Sequence, residues 1–431
     1  MIKNILGTTG TRILNALINL VILILLTREI GSAGFGIVTI ILIDITVIQL
    51  LVDLVAGSAL IYFSSRTEII KLLIPSYLWI IFIISLAWII FRILAFFSGG
   101  LYEIIVPSQY ETEILFLAFL NATMLAHYNL LLGKKRIGVY NIIFTIQIIT
   151  LLVVLVYRIF VLNDTSIESW IISLYSAYGI AVMLSFIAVI SKIGNLSLVG
   201  SFGVTKQVFR FGLITQLANI LHIGNKRISF YFVRIFTGLP AVGIYGAGTQ
   251  LTEGVRLLSQ SISLVQFSEI SNSEDKNFAI GLTIKLMKFS VLLTIIAVVV
   301  LLIVPTEIYG LIFGADFAYL KYVIIALSPG VIALSSNTIF SHYFGGLGRP
   351  IISLWANGIG FIVTITLAIL LIPSFGYIGA ASTASASYIS TVIYQYFVFK
   401  KETGIRLNQW LPEKRDFADF IKIMKNLISG K

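Results

Sequence analysis

Apolar residues run in long blocks along this chain, and short polar stretches separate them. A helix that crosses a bilayer needs about 20 mainly apolar residues. That measure predicts twelve spans, at roughly 12–30, 36–62, 73–97, 113–132, 141–162, 170–190, 210–236, 240–265, 279–304, 319–343, 351–372 and 377–399. The connections are short, and no soluble domain is inserted. Pro75, Pro107, Pro240, Pro305, Pro350 and Pro373 sit at span ends, whereas Pro329 lies inside the tenth span beside Gly330. Pro329 removes a backbone donor there, which makes either a fixed kink or a moving hinge.

Composition agrees with a membrane. The 431 residues are 58% hydrophobic and 11% charged, whereas soluble domains carry about 25% charged residues. The fold class is therefore all-α integral membrane. The N-terminal stretch reads as the first helix and not a signal peptide, since no small-residue cleavage site follows it closely. With no cysteine, thiolate metal sites are excluded and the redox compartment cannot be read.

The net charge of +11 has a topological explanation. With the N-terminus inside, Arg66, Lys71, Lys134, Lys135, Arg136, Lys206 and Arg349 all fall in inner segments. The outer loops hold little beyond Arg28, Arg234 and Lys321. This positive-inside bias places both termini in the cytoplasm and needs no nucleic-acid partner. The tail after residue 400 puts Phe417, Phe420, Ile421, Met424 and Leu427 on one helical face. It is either a helix lying on anionic inner-leaflet lipid or a disordered basic tail.

A long inner stretch, 191–209, separates two sets of six spans. The organisation is thus 1–200 and 201–400, two six-helix halves, with 401–431 as tail. A weak internal echo supports the division. "TREIGSAGFGIV" joins spans one and two, "VRIFTGLPAVGIYG" joins spans seven and eight, and each has an arginine, a short turn and a glycine opening the next helix.

Polar residues within the spans carry the candidate chemistry. In span seven, Gly212, Thr215, Gln216, Asn219, His222, Lys226 and Arg227 fall within an arc of about 140° at 100° per residue. A cation at mid-membrane costs about 2.5–3.5 kcal/mol on insertion scales. Lys226 and Arg227 therefore require water, a partner acid or an anionic ligand. Span eight aligns Thr249, Gln250, Glu253, Arg256 and Gln260, and Glu253 with Arg256 can pair three residues apart. In the first half, Asn15 and Asn19 share a face of span one. Asp44 and Asp53 in span two lie on opposite faces and cannot form one site. Two readings stand for these groups: buried ion pairs that hold helices together, or a wet, net-positive cavity between the halves. Arg92 and Arg158, near outer span ends, are expected to snorkel. His127 and His222 read as hydrogen-bonded polar lining, because no zinc or triad spacing surrounds them.

Several stretches resemble the Wzx-type lipid-linked oligosaccharide flippases of the multidrug/oligosaccharidyl-lipid/polysaccharide superfamily. "LLTREIGSAGFGIVTI" is similar to the family's first turn and "LVDLVAGSALIYF" to its second span, where Asp53 matches a recurrent acid. "NKRISFYFVRIFTGLPAVGIYGAG" resembles the seventh-to-eighth junction. Arg227 falls on the basic position there, and an acid often found nearby is absent. "FGADF" and "FGGLGRPIISLWANGIG" with "LLIPSFGYIGAASTASASY" resemble the late loop and the last two spans.

The resemblance implies two six-helix lobes around a V-shaped central cavity, as in MATE transporters, and no enzymatic activity or cofactor. It implies an undecaprenyl-pyrophosphate oligosaccharide carried from the cytoplasmic to the outer leaflet of the bacterial inner membrane. The product would feed O-antigen, capsule or exopolysaccharide synthesis, with membrane lipids around the carrier and a polysaccharide polymerase as a partner. A diphosphate needs cations, and Lys226, Arg227 and Arg256 supply them, with Asn219, Gln216, Asn15 and Asn19 as polar walls for sugars. Asp44, Asp53 and Glu253 are the candidates for proton or sodium coupling. The rival functions are a multidrug exporter of the same superfamily, which two cations in the cavity disfavour, and a membrane polysaccharide polymerase or ligase, for which the outer loops are too short.

Overall fold

The computed structural model describes residues 2–191, 193, 197–271, 273 and 275–405. These are helical almost throughout, with no strand among them. In chain order the helices are α1 (Ile2–Ala56), α2 (Ala59–Ser64), α3 (Ile70–Phe97), α4 (Gly99–Ile105), α5 (Glu111–Gly133), α6 (Ile137–Phe160), α7 (Ile167–Ile190), α8 (Ser201–Thr237), α9 (Leu239–Ser271), α10 (Lys276–Ile303), α11 (Thr306–Phe313), α12 (Leu320–Gly346) and α13 (Ile351–Thr403). The amphipathic tail expected after residue 400 lies outside the described residues beyond 405.

Eight helical segments among the described residues are long and apolar enough to cross a membrane. Two of them are each broken by a glycine. Gly31 (φ 69°, ψ −177°) divides α1 and Gly376 (φ 54°, ψ −133°) divides α13. That backbone region is essentially closed to side chains, so the chain turns there without ending the helix. The breaks fall where the sequence separates spans one from two and eleven from twelve. The twelve-span count is not reached on this measure, because α8 and α9 are not among the eight. Both carry charged and amide residues along one face, which lowers their apolarity.

The chain divides into two compact units. The first is Met1–Ile220 with Gly238–Gly243 and Ile312–Phe317; the second is Leu221–Thr237, Ile244–Leu311 and Ala318–Lys431. The first unit therefore includes two short stretches from later in the sequence, and α8 contributes to both units.

Within the first unit, α5 packs on α1, α2, α3 and α7, and α6 lies against α7 and α1. Buried Leu117, Leu130, Leu131 and Trp170 fill this core. The two echoed turns meet here. A Cβ at Gly36 would lie on the Leu239 carbonyl oxygen, and one at Gly243 would lie on the Ser32 carbonyl oxygen. Only glycine at both positions allows such a close approach of backbones. The "FGADF" loop joins them: Asp316 accepts from the Ser32 N–H (3.1 Å) and hydroxyl (2.7 Å), and Phe317 packs edge-on against Phe35. Asp316 thus satisfies a backbone donor freed where α1 restarts after Gly31.

In the second unit α12 packs on α10 and α13. Its core gathers Phe340, Tyr343, Phe344 and Phe399 with Ile270 and Ile352. Pro329 lies within α12, and the helix continues past it. The Ser385 hydroxyl donates to the Ala326 carbonyl (2.5 Å) and accepts from the Gly330 N–H (3.2 Å). The Ser385 hydroxyl of α13 thus bridges the Ala326 carbonyl and the Gly330 N–H, which would pair with each other in an unbroken α12 ladder.

Candidate functional site

Polar side chains of the second unit converge where α8 runs beside α9. Lys226 is buried, with 7% exposure, and Arg227 next to it is half-buried. Both reach one acid. The Lys226 Nζ donates to Glu253 Oε1 at 2.9 Å, and Arg227 Nη2 lies 3.4 Å from Glu253 Oε2. The second distance is long for a charge-assisted bond, which normally measures about 2.7–2.9 Å. Most of the guanidinium fork is therefore not committed to Glu253. Its Cζ lies 5.8 Å from the Phe230 ring centroid, within cation–π range. Phe230 is held in turn by buried Tyr245, with ring centroids 4.6 Å apart.

These groups line a narrow cleft. Thr249, Thr252 and Tyr388 add hydroxyls to its polar side, and Leu327, Val331 and Leu334 of α12 form the apolar wall. As it stands the cleft has room for little more than a water molecule, so an anion enters only as these side chains part. Formal charge on the lining is +1, from Lys226 and Arg227 against Glu253. The expected Glu253–Arg256 pair does not form. Glu253 is taken by the two cations of α8, and Arg256 instead faces Gln260, whose amide oxygen accepts from it at 2.5 Å once turned toward it.

The other predicted residues are distributed differently from the sequence expectation. Gln216 and Asn219 belong to the first unit, where the Asn219 amide donates to Gln216 Oε1 at 2.9 Å. Asp53 joins them: Gln49 Nε2 donates to its Oδ1 at 2.6 Å, and the Gln216 amide also faces its carboxylate. Asn121 donates to Gln49 Oε1 at 3.1 Å. Sequence reasoning missed Gln49 and Asn121. Gln49 lies four residues before Asp53 and was findable by helical spacing; Asn121, on another helix, gave no signal. Asp44 is buried, at 4% exposure, and nine residues before Asp53 it lies on the opposite face of α1. Asn15 and Asn19 do not act as a pair. Asn15 is buried with neither amide atom hydrogen-bonded, and Asn19 is exposed.

Arg92 and Arg158 are ion-paired and do not simply snorkel. Arg92 pairs with buried Glu111, which also accepts from the Tyr102 hydroxyl. Arg158 pairs with Asp164 at 2.5 Å in the loop before α7. Hydrogen bonds from the Ser166 and Ser169 hydroxyls and the Ser166 N–H, with Arg158 beside them, hold the Asp164 carboxyl well below the usual carboxylate range. His127 is fully buried between Tyr77 (2.5 Å) and Ser185 (2.8 Å), a hydrogen-bonded lining residue. No cluster of metal-ligating side chains occurs among the described residues.

Comparison with known proteins fits this arrangement. The family model described as "Lipid II flippase MurJ" matches residues 241–424. A probable low-salt glycan biosynthesis flippase, Agl15 of Haloferax volcanii, is 26% identical over 48% of this chain and 45% of its own length. The chain thus spans under half of that relative. The capsular polysaccharide biosynthesis protein CapF of Staphylococcus aureus is 22% identical over 68% of this chain and 83% of its own. Among solved structures, lipid II flippase MurJ in an inward closed conformation superposes with a TM-score of 0.73 at 18% identity, covering 95% of this chain and 89% of that one. An inward-facing multidrug resistance MATE transporter gives 0.72 at 14% identity, covering 90% and 94%. These are flippases and transporters, not enzymes. The apolar helices make this a multi-pass membrane protein, and its fold is that of MurJ and the MATE transporters.

Proposed function

We propose that the protein is a flippase for lipid-linked oligosaccharides. It moves glycan repeat units attached to undecaprenyl pyrophosphate from the cytoplasmic to the outer leaflet by alternating access. In this reading all twelve apolar and amphipathic helical segments cross the membrane, in lobes near 1–200 and 201–400, with both termini in the cytoplasm. The names of Agl15 and CapF, a glycan flippase and a capsule protein, support a glycan-bearing cargo.

The observation that carries the reading is the unequal charge in the cleft. Two cations share one carboxylate, and Arg227 holds it only at 3.4 Å. A pyrophosphate supplies the missing negative charge. Arg227 can grip two phosphate oxygens with its planar fork, while Lys226 acts as a point charge. Arg256 adds a third cation on the same face of α9. A positive cleft also repels the cationic drugs that a multidrug exporter of this superfamily would carry.

The test is Lys226→Ala and Arg227→Ala in a strain that depends on this transporter for its surface polysaccharide. Each variant should accumulate lipid-linked sugar on the cytoplasmic side while remaining at wild-type abundance in the membrane. Normal polymer export by both variants would remove the proposal.

A further inference from the structure

The first unit contains a polar cluster that the phosphate reading leaves without a role. Two amide arms converge on Asp53. One runs from Asn121 through Gln49, the other from Asn219 through Gln216. A close helix crossing sets the second arm in place. A Cβ at Gly212 would lie on the Leu54 carbonyl oxygen, so α8 approaches α1 one turn before Gln216. The buried members are Gln49 and Gln216, at 9% and 4% exposure. Asp53 and Asn121 are half-buried and Asn219 is exposed. The cluster therefore opens at its ends and is not sealed like a structural network in a core.

Its chemistry selects among ligands. Among the described residues Asp53 has no ion pair, so the cluster carries a net negative charge and repels phosphate. A bare cation fits poorly as well, because a metal site needs converging oxygens and here amide N–H groups face the carboxylate. A sugar hydroxyl both donates and accepts. It can donate to a remaining carboxylate lone pair and accept from the second N–H of Asn219 or Asn121, whose first N–H is already used.

We propose that Asp53, held by Gln49 and Gln216 and flanked by Asn121 and Asn219, is a sugar-hydroxyl subsite that reads the glycan of the cargo. The inference rests on the flippase reading above and deepens it. The carboxylate accepts from the glycan, the two arms fix its orientation, and the outer amides complete the contacts. Asp53 is then a recognition group and not the coupling acid that the sequence suggests.

The experiment uses the full-length protein in lipid nanodiscs and two probes. One is lipid-linked oligosaccharide extracted from the producing cells; the other is the glycan-stripped lipid, undecaprenyl pyrophosphate. The wild type should bind the glycan-bearing lipid about ten-fold more tightly or better, the scale of one hydrogen bond to a charged group. Asp53→Asn and Asn219→Ala should bring that ratio toward one and leave the affinity for the stripped lipid unchanged, which also shows that the variants are folded. No wild-type preference, or a preference that survives Asp53→Asn, would overturn the subsite. So would an intact preference joined to a changed dependence of binding on sodium or pH, which would make Asp53 an ion-coupling group. Failure of Arg227→Ala to weaken either probe would count against the flippase reading itself, and not specifically against the subsite.

Discussion

Glu253→Gln separates a structural salt bridge from a working anion site, because the two predict opposite signs. In the wild type the cleft carries two cations and one anion. The substitution keeps the side chain's shape and raises the net charge from +1 to +2. A phosphate oxygen bound by Lys226 would lie within about 4–6 Å of the Glu253 carboxylate, given the 2.9 Å contact between those side chains. Unit charges 4 Å apart interact by about 4 kcal/mol at an effective dielectric constant of 20. Glu253 is about a third exposed (32%), so water screens much of this. We expect a net gain of about 1.4–3 kcal/mol, or roughly ten- to a hundred-fold tighter binding of farnesyl pyrophosphate.

The empty protein should respond the other way. Removing one partner of a buried ion pair costs about 3–5 kcal/mol, and the partial exposure of Glu253 puts this case at the low end. The variant should melt several degrees lower without ligand and recover on adding farnesyl pyrophosphate. Transport should slow, because a ligand held more tightly is released more slowly. Isothermal titration calorimetry on nanodisc-embedded protein, with thermal unfolding in parallel, measures both effects. A folded variant with unchanged or weaker affinity would refute the anion-site argument and leave the triad as a helix tie.

Three further outcomes test the fold and the energetics. Gly36→Ala places a methyl on the Leu239 carbonyl oxygen, and backbone cannot yield as a side-chain tip can, so thermal unfolding should show a loss of about 1–3 kcal/mol. Asp164 has its ionised form favoured in the fold, so its stabilising contribution is complete above the ordinary carboxylate value near 4 and is lost as pH falls through it toward the depressed one. The melting-temperature gap between wild type and Asp164→Asn should therefore be widest at pH 6 and begin to narrow by pH 3. Moving two negative charges outward, down an inside-negative potential, releases about 4.6 kcal/mol per 100 mV. In proteoliposomes with neither a pH nor a sodium gradient, dissipating the potential should stop flipping, and continued transport at the same rate would exclude that driving force.

Hydrocarbon-facing helices were legible because lipid leaves the sequence little choice. The predicted 113–132 appears as Glu111–Gly133 and 141–162 as Ile137–Phe160. The breaks at Gly31 and Gly376 were visible as gaps between apolar runs. Helical periodicity reports neighbours on the same helix, and that limit produced the error at Glu253. The sequence offers Arg256 at three residues' distance, while the partners used lie 26 and 27 residues away on α8. The Ser32–Asp316 bond spans 284 residues. No pattern within a helix signals it, and "FGADF" stood out only through its resemblance to the family's late loop.

The unequal pairing at Glu253 makes physical sense for a carrier more than for a scaffold. A scaffold is best served by matched charges with short bonds, or by apolar residues, which often replace buried pairs with no loss of stability. A carrier must remain folded when empty, when two neighbouring cations would repel, and must also release those cations to an incoming anion. One partly exposed carboxylate, close to Lys226 and loosely placed against Arg227, satisfies both demands. It neutralises enough charge to keep the empty helices together and leaves the guanidinium fork largely uncommitted. On this argument the weak 3.4 Å contact is the functional feature, and shortening it would stabilise the empty protein at the expense of its grip on the ligand.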